Sequence, residues 1–530
     1  MFPAKQAFLR KIRAASRENP EATRNRSSNI DLSKLIQTKT NTMKKTPQEF
    51  IRQTGIEAEL AELKKELAEK KKKFSDVTDL QGHQYVDLVQ QGGGVWGIAL
   101  LGFVYVMEQV GIRFFSLAGT SAGAINAMAM AAINEKHETK TEEILQLLID
   151  LPLDSLMDGK SSRGFTAFER KLIGFFIKFT WFGALIKTVL FVLFLVVVAS
   201  SLATAILAYS DSPFLYPVSI ITIIAWVIAL LLTLLTWRRL NQVKKGFGLN
   251  KGDYFHRWVT DKILEGKTLE DLKNHFSKVP KDLKLEPPTP TNHRKPDELP
   301  PRVPRLAFIT ADITTQNKIE FPRMWPLYYD DLQSVNPADF IRASMSIPIF
   351  FEAYQKSVWK EAVSVQRRAQ WQELLNWDTK RPIPPKVLFV DGGSLSNFPI
   401  NIFFNPKNDA PRLPTFGIRL VDKKDDNEFN IQTLTNLAGK IISTMKLSSD
   451  KEFINKNASY AQGIAYVEIG DKISWLNFYM DEPQKQELFR IGAREAMRFL
   501  RAFEWEQYKA NRVEEKLKQT NTQLFNPNNW

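Results

Sequence analysis

The 530-residue chain contains no cysteine. That removes disulfides, thiolate metal sites and a cysteine nucleophile together, and it fits a reducing compartment. No zinc-finger or RNA-recognition pattern occurs, although the formal net charge is +14. Half of that excess lies in residues 1–50, where eleven Lys and Arg stand against four Asp and Glu. Such a stretch suits an anionic membrane surface, and nucleic acid is not expected as a partner. The N-terminus also lacks the apolar run of a secretory signal: Lys5, Arg10, Lys11 and Arg13 are followed by polar sequence.

What the chain does have is two long uncharged runs. Residues 188–210 lie between Lys187 and Asp211, and residues 212–237 lie between Asp211 and Arg238. Each is long enough to cross a ~30 Å hydrocarbon layer, which needs about 20 residues. Transmembrane helices are expected near 188–210 and 214–237, joined by a connection so short that both outer ends emerge on one side. Lys178 and Lys187 precede the hairpin, while Arg238, Arg239, Lys244 and Lys245 follow it. The positive-inside rule assigns that side to the cytoplasm. Before the first span, residues 165–182 interleave Phe and Trp with Arg170, Lys171 and Lys178, a mixture suited to the headgroup boundary.

Residues 1–46 read as polar and irregular. Pro47 opens a helix expected over 47–73, with Ile56, Leu60, Leu63 and Leu67 forming one apolar stripe. Residues 280–304 hold eight prolines and read as a semi-extended linker. Strands are expected at 85–89, 114–118, 306–310, 387–390, 416–420 and 464–469, and helices at 431–447 and 483–518. Repeated strand–turn–helix units argue a three-layer α/β/α domain with a largely parallel sheet. The expected division is a basic region with a charged helix (1–80), a first half of the α/β domain (81–150), an insertion carrying the hairpin (151–305), and a second half (306–530).

Three short motifs carry chemistry. Gly119-Thr120-Ser121-Ala122-Gly123 fits G-x-S-x-G, with an apolar strand before it and an Ala-rich helix after it. The turn between them is tight, so the flanking positions must be nearly free of side chain if Ser121 is to stand exposed. The positive end of the following helix favours negative charge developing beside it. Gly92-Gly93-Gly94-Val95-Trp96-Gly97 also follows a strand. Gly92, Gly94 and Gly97 satisfy a dinucleotide fingerprint, but that fingerprint expects an acidic residue at the end of the next strand. The next strand, Phe114-Phe115-Ser116-Leu117-Ala118, has none and enters the serine turn. Beside a nucleophilic serine, unobstructed glycine amides instead suit an oxyanion. Asp391-Gly392-Gly393 follows the strand at 387–390, which brings its carboxylate to the rim where α/β active sites collect.

In this order the three motifs resemble the patatin-like phospholipase family, as do Ala343-Ser344-Met345-Ser346-Ile347-Pro348 and Asn397-Phe398-Pro399. The resemblance spans roughly residues 82–150 and 305–505. It implies a Ser–Asp dyad of Ser121 and Asp391 with no histidine, an oxyanion hole around Gly92, Gly93 and Gly94, and motif-supporting roles for Gly97, Gly119, Gly123, Gly392 and Gly393. It also implies lipid ester hydrolysis of phospholipase A or lysophospholipase type, with membrane phospholipid as substrate and surface and no metal or cofactor. An acyltransferase would use the same dyad, and a non-catalytic membrane-anchored interaction protein could keep the fold. Where family members often carry Arg or Lys, this chain has Trp96. The five histidines, His83, His137, His256, His275 and His293, all fall outside the motifs. The expected setting is a membrane, most simply a bacterial inner membrane, with the catalytic domain on its cytoplasmic side.

Overall fold

The computed structural model describes residues 46–159, 182–210, 212–244, 246–285, 303–359, 363–405, 411–422, 444, 450–470 and 473–525. The strands in chain order are β1 (Val77–Thr78), β2 (Gln84–Gln90), β3 (Ile112–Thr120), β4 (Gly248–Asn250), β5 (Lys284–Leu285) and β6 (Leu306–Asp312). They continue with β7 (Asn317–Phe321), β8 (Ile349–Phe351), β9 (Tyr354–Ser357), β10 (Lys386–Asp391), β11 (Thr415–Asp422) and β12 (Ile464–Ile469). The helices that matter below are α1 (Pro47–Thr54), α2 (Glu57–Glu69), α3 (Gly97–Gln109), α4 (Ala122–Ala132) and α5 (Phe182–Tyr209). After them come α6 (Leu215–Lys244), α7 (Ala338–Ser344), α8 (Glu482–Ala502) and α9 (Trp505–Phe525).

All six expected strands form. Five of them make a parallel block in the spatial order β12-β11-β2-β3-β6. The sixth, β10, is antiparallel to both β6 and β9, and β7 is antiparallel to β6. Side chains alternate between two covered faces, as strands buried on both sides require. Val86, Leu88, Phe114 and Leu117 pack with the helices of one layer. Val89, Ala118 and Ile309 pack with Phe398, Ile400 and Tyr460 on the other. The three-layer α/β/α arrangement with a largely parallel sheet read from the sequence is what the chain adopts, with antiparallel strands added beside the parallel block.

Two long helices expected from the sequence are each broken in two. Gly55 adopts φ +71, a left-handed conformation that ends α1, and the chain restarts as α2. This bend lets Phe50 meet Phe489 edge-on at 5.6 Å while Leu60, Leu63 and Leu67 stay buried. Residues 483–518 split at Phe503, whose extended backbone separates α8 from α9. The Trp505 indole then donates to the buried Asp76 carboxylate at 2.8 Å. The expected helix at 431–447 lies outside the described residues apart from Thr444. Residues 1–45 and 160–181 lie outside them as well, as does most of the Pro-rich stretch.

The insertion returns to the body before that stretch. β4 pairs in parallel with β8, Gly248 opposite Ile349, and β5 pairs with β1. α5 and α6 are 28 and 30 residues long. Both are long and apolar enough to cross a membrane, and only 6% of each apolar window is buried. They meet through Thr204 and Thr222, whose hydroxyls are 3.0 Å apart, and through a 3.2 Å bond from the Trp226 indole to Ser201.

Candidate active site

β3 ends at Thr120 and α4 begins at Ala122, so Ser121 alone makes the turn. It does so at φ 52 and ψ −118, a conformation that disfavours any side chain. Holding a non-glycine residue there costs on the order of 1–3 kcal/mol and persists only where the surroundings over-determine it. Here they do. The Ser121 amide donates to the Ser344 hydroxyl at 2.9 Å, and that hydroxyl donates to the Ile309 carbonyl at 2.6 Å. A Cβ on Gly119 would come within 2.2 Å of the Gly123 carbonyl carbon, and one on Gly123 within 2.2 Å of the Gln90 carbonyl oxygen. Both flanking positions are therefore closed to any side chain.

Asp391 arrives from the opposite direction. Phe308 and Ile309 pair with both β3 and β7, so those strands lie on opposite edges of β6. Residues 310–312 pair with both β7 and β10, which puts β10 on the edge that β3 leaves vacant. Thr120 faces Ile309 and Asp391 faces Thr310, so the carboxyl ends of β3 and β10 meet head to head. By sequence alone Asp391 reads as the end of one strand in a largely parallel sheet. The strand is antiparallel, and it is this reversal that brings its end to the serine turn.

One segment braces both residues. Ser344, at the end of α7, takes the Ser121 amide, and the Ser346 carbonyl takes the Asp391 amide at 2.8 Å. This gives Ala343-Ser344-Met345-Ser346 a physical role as a common bracket. One Asp391 carboxylate oxygen accepts from the Gly393 amide at 2.7 Å. Ser121 and Asp391 are 5% and 7% exposed, so the site is largely closed to water.

The glycine turn lies alongside. A Cβ on Gly92 would stand 3.0 Å from the Ser121 Cβ and 2.5 Å from the Asn397 Oδ1. The Gly92 amide donates to the Asn397 carbonyl at 3.1 Å, and the Asn397 side-chain amide donates back to the Gly92 carbonyl at 3.2 Å. Gly92 is thus occupied in holding the turn. The Gly93 and Gly94 amides have no acceptor among the described residues. Gly94 adopts φ 55, and the Trp475 carbonyl fills the place of a side chain, 2.3 Å from where its Cβ would be. Gly97 opens α3, and a Cβ there would sit 3.1 Å from that of Ala122. Trp96 is buried and donates its indole N–H to the Ile473 carbonyl at 2.9 Å, tying Ile473 to this turn.

Four histidines are engaged elsewhere. His83 pairs with Asp79 at 2.9 Å, His137 with Glu135 at 3.8 Å and His256 with Asp339 at 2.8 Å, while His275 lies 3.0 Å from the Asn134 carbonyl. His293 is outside the described residues. Among the described residues no group of three His, Asp or Glu is arranged to hold a metal ion. One acid outside all of the sequence motifs is Asp450. It is buried and accepts 2.8 Å bonds from the Ser396 hydroxyl and the Phe398 amide, on either side of Asn397.

A serine elbow, a strand-end carboxylate and a glycine amide turn on one α/β sheet form the arrangement of a serine-hydrolase class. The chain belongs to the patatin-like phospholipase family, whose sequence profile matches residues 88–404, and that membership makes it a lipid acyl hydrolase by class. It is 25% identical over 425 residues to the uncharacterized protein YqhO of Bacillus subtilis, covering 79% of this chain and 98% of that one. Among solved structures, VipD from Legionella pneumophila aligns with a TM-score of 0.32 and 13% identity, over 82% of this chain and 70% of that chain.

Proposed function

We propose that the protein is a membrane-anchored phospholipase A or lysophospholipase that works through Ser121 and Asp391. The observation that carries this reading is the head-to-head meeting of β3 and β10 on one edge of β6, which brings a strained serine and a strand-end carboxylate together. In the proposed reaction, Asp391 takes the Ser121 hydroxyl proton as Oγ attacks a lipid ester carbonyl. The Gly93 and Gly94 amides, with the N-terminal end of α4, hold the negative charge on the carbonyl oxygen. The ester C–O bond breaks, and the proton on Asp391 passes to the departing alcohol. Asp391 then deprotonates a water molecule, which attacks the acyl-serine; the acyl C–Oγ bond breaks, Asp391 returns the proton to Ser121 Oγ, and the fatty acid leaves.

At 1.5 Å per residue, helices of 28 and 30 residues exceed the ~30 Å needed to span hydrocarbon. Their mutual contact, their exposed apolar surface and the cations flanking them in sequence support a hairpin with both outer ends in the cytoplasm. Held there, the site would draw substrate from the bilayer without passage through bulk water. Mass spectrometry of the purified protein incubated with mixed phospholipids tests the reading. Free fatty acid and lysophospholipid should appear with the native chain and not with Ser121→Ala. Equal release by that variant would refute it.

A further inference from the structure

Asp450 is helical, as are residues 451–456 after it, and it lies on the sheet face that carries Phe398 and Ile400. It is 5% exposed. Burial pushes its carboxyl up to about 6, against the pull of its two hydrogen-bond donors and the more distant charges of Lys318 and Arg419. A carboxylate in so dry a place needs a structural return, since an unpaired buried charge is strongly disfavoured. The return is found in its partners. One oxygen takes the Ser396 hydroxyl and the other takes the Phe398 amide, both at 2.8 Å.

Those two residues bracket Asn397, the residue that exchanges two hydrogen bonds with Gly92. The Ser396 carbonyl also accepts from the Thr120 hydroxyl at 3.0 Å, one residue before Ser121. The amides of Leu395 and Ser396 fold back onto the Gly392 carbonyl, next to Asp391. A single side chain therefore fixes a loop that touches the glycine turn, the end of β3 and the Asp-Gly-Gly turn together. We infer that Asp450 is a positioning residue for the active site, setting Asn397 and, through it, the oxyanion turn at Gly92. It touches none of the reacting atoms. The inference rests on the reading of Ser121, Asp391 and the glycine turn as the catalytic groups.

The geometry distinguishes its two obvious substitutions. Asp450→Leu leaves both the Ser396 hydroxyl and the Phe398 amide without an acceptor. Asp450→Asn can still accept from the Phe398 amide while its own amide donates to the Ser396 oxygen, because a hydroxyl serves in either role. Misplacing a catalytic constellation by about 1 Å costs on the order of a hundredfold in rate.

The experiment uses the full chain in detergent micelles, a 4-nitrophenyl fatty-acyl ester as substrate, and hydrogen exchange read by mass spectrometry over residues 90–96 and 392–398. Asp450→Leu should lower kcat on the order of a hundredfold with KM within about twofold, and exchange should quicken in both segments. Asp450→Asn should recover most of kcat and the slow exchange. Ser396→Ala, which removes one bond of the pair, should fall between them and serves if Asp450→Leu does not fold. Native kcat and native exchange over 90–96 in Asp450→Leu, or in Ser396→Ala where that must serve, would overturn the inference. Failure of the dyad reading looks different: Ser121→Ala would keep turning over the ester, while exchange over 90–96 would still decide the role of Asp450.

Discussion

Two pairs of helices in this molecule are apolar on every side and have opposite fates. α3 is buried from Ile98 to Glu108, and α4 is buried at every residue but Ile125. In α5 and α6 the apolar surface is left outside, with Phe194, Leu202, Ile223 and Trp226 all exposed. Hydrophobicity alone does not separate the pairs. Length and side-chain size do. The buried helices have 13 and 11 residues and carry Gly97, Gly102, Gly123 and a run of alanines, which let other backbone come close. The exposed helices are more than twice as long and present Phe, Leu, Ile and Val. Small residues mark a helix that protein will cover, and bulky apolar ones at this length make a helix long and apolar enough to cross a membrane.

The sharpest way to break that comparison is to enlarge a glycine where the buried pair meets its partner. A Cβ on Gly492 of α8 would lie 1.8 Å from the Ala99 carbonyl oxygen, and one on Gly102 would lie 2.1 Å from the Phe489 carbonyl oxygen. Backbone cannot yield as a side-chain tip can, so Gly492→Val should cost at least the ~1–3 kcal/mol typical of overpacking. Little folded protein should be recovered, and thermal melts of any soluble fraction should be shifted down strongly. A native melt would mean that the α3–α8 crossing is looser than described.

The exposed pair should behave in the opposite way. Replacing residues 185–240 by a short linker should release the protein from membranes without detergent, and hydrogen exchange in α3 and α4 should stay slow. If the shortened chain still needs detergent, the hairpin is not its anchor. If the body unfolds, the hairpin is part of the core.

A smaller effect concerns charge at the helix ends. Cations flank the hairpin in sequence, but Lys136 follows α4 into the protein. It is buried 3.3 Å over the Phe276 ring, and its ammonium has no hydrogen-bond acceptor among the described residues. Burial, aided by Lys140, pushes it down to about 6, against 10.5 for a free lysine. The unfolded chain therefore holds a proton that the folded chain releases between those values, and stability from this group rises with pH across that window. Lys136→Met should raise the melting midpoint by a few degrees at pH 7 and flatten its rise toward pH 9. An unchanged slope would show that Lys136 keeps its proton in the folded state.

The sequence made the elbow, the glycine turn and the Asp-Gly-Gly turn legible because each depends on backbone demands within a few residues. Thr120-Ser121-Ala122 needs glycines on both sides, and a pattern can report that. It could not report that β10 runs against β6, since the direction of a strand is settled by pairing with residues some eighty positions away. Nor could it report that Gly92 would spend its amide on Asn397, or that Asp450, from beyond the next strand, would bond the residues on either side of that asparagine. The broken helices failed for a local reason instead. Apolar periodicity continued through Gly55 and Phe503, while the backbone turned there to follow the body.

The dyad itself is tested most directly by covalent labelling with a fluorophosphonate, mapped by peptide mass spectrometry across four forms of the full chain. The native protein should be labelled at Ser121. Ser121→Ala should not be labelled at all, and Asp391→Asn should be slowed nearly as far, because an amide cannot accept the serine proton. The form in which all five histidines are replaced by Asn or Gln should be labelled at close to the native rate. Native-rate labelling of Asp391→Asn, or loss of labelling in a folded chain without histidine, would contradict the Ser121–Asp391 pair and require another base.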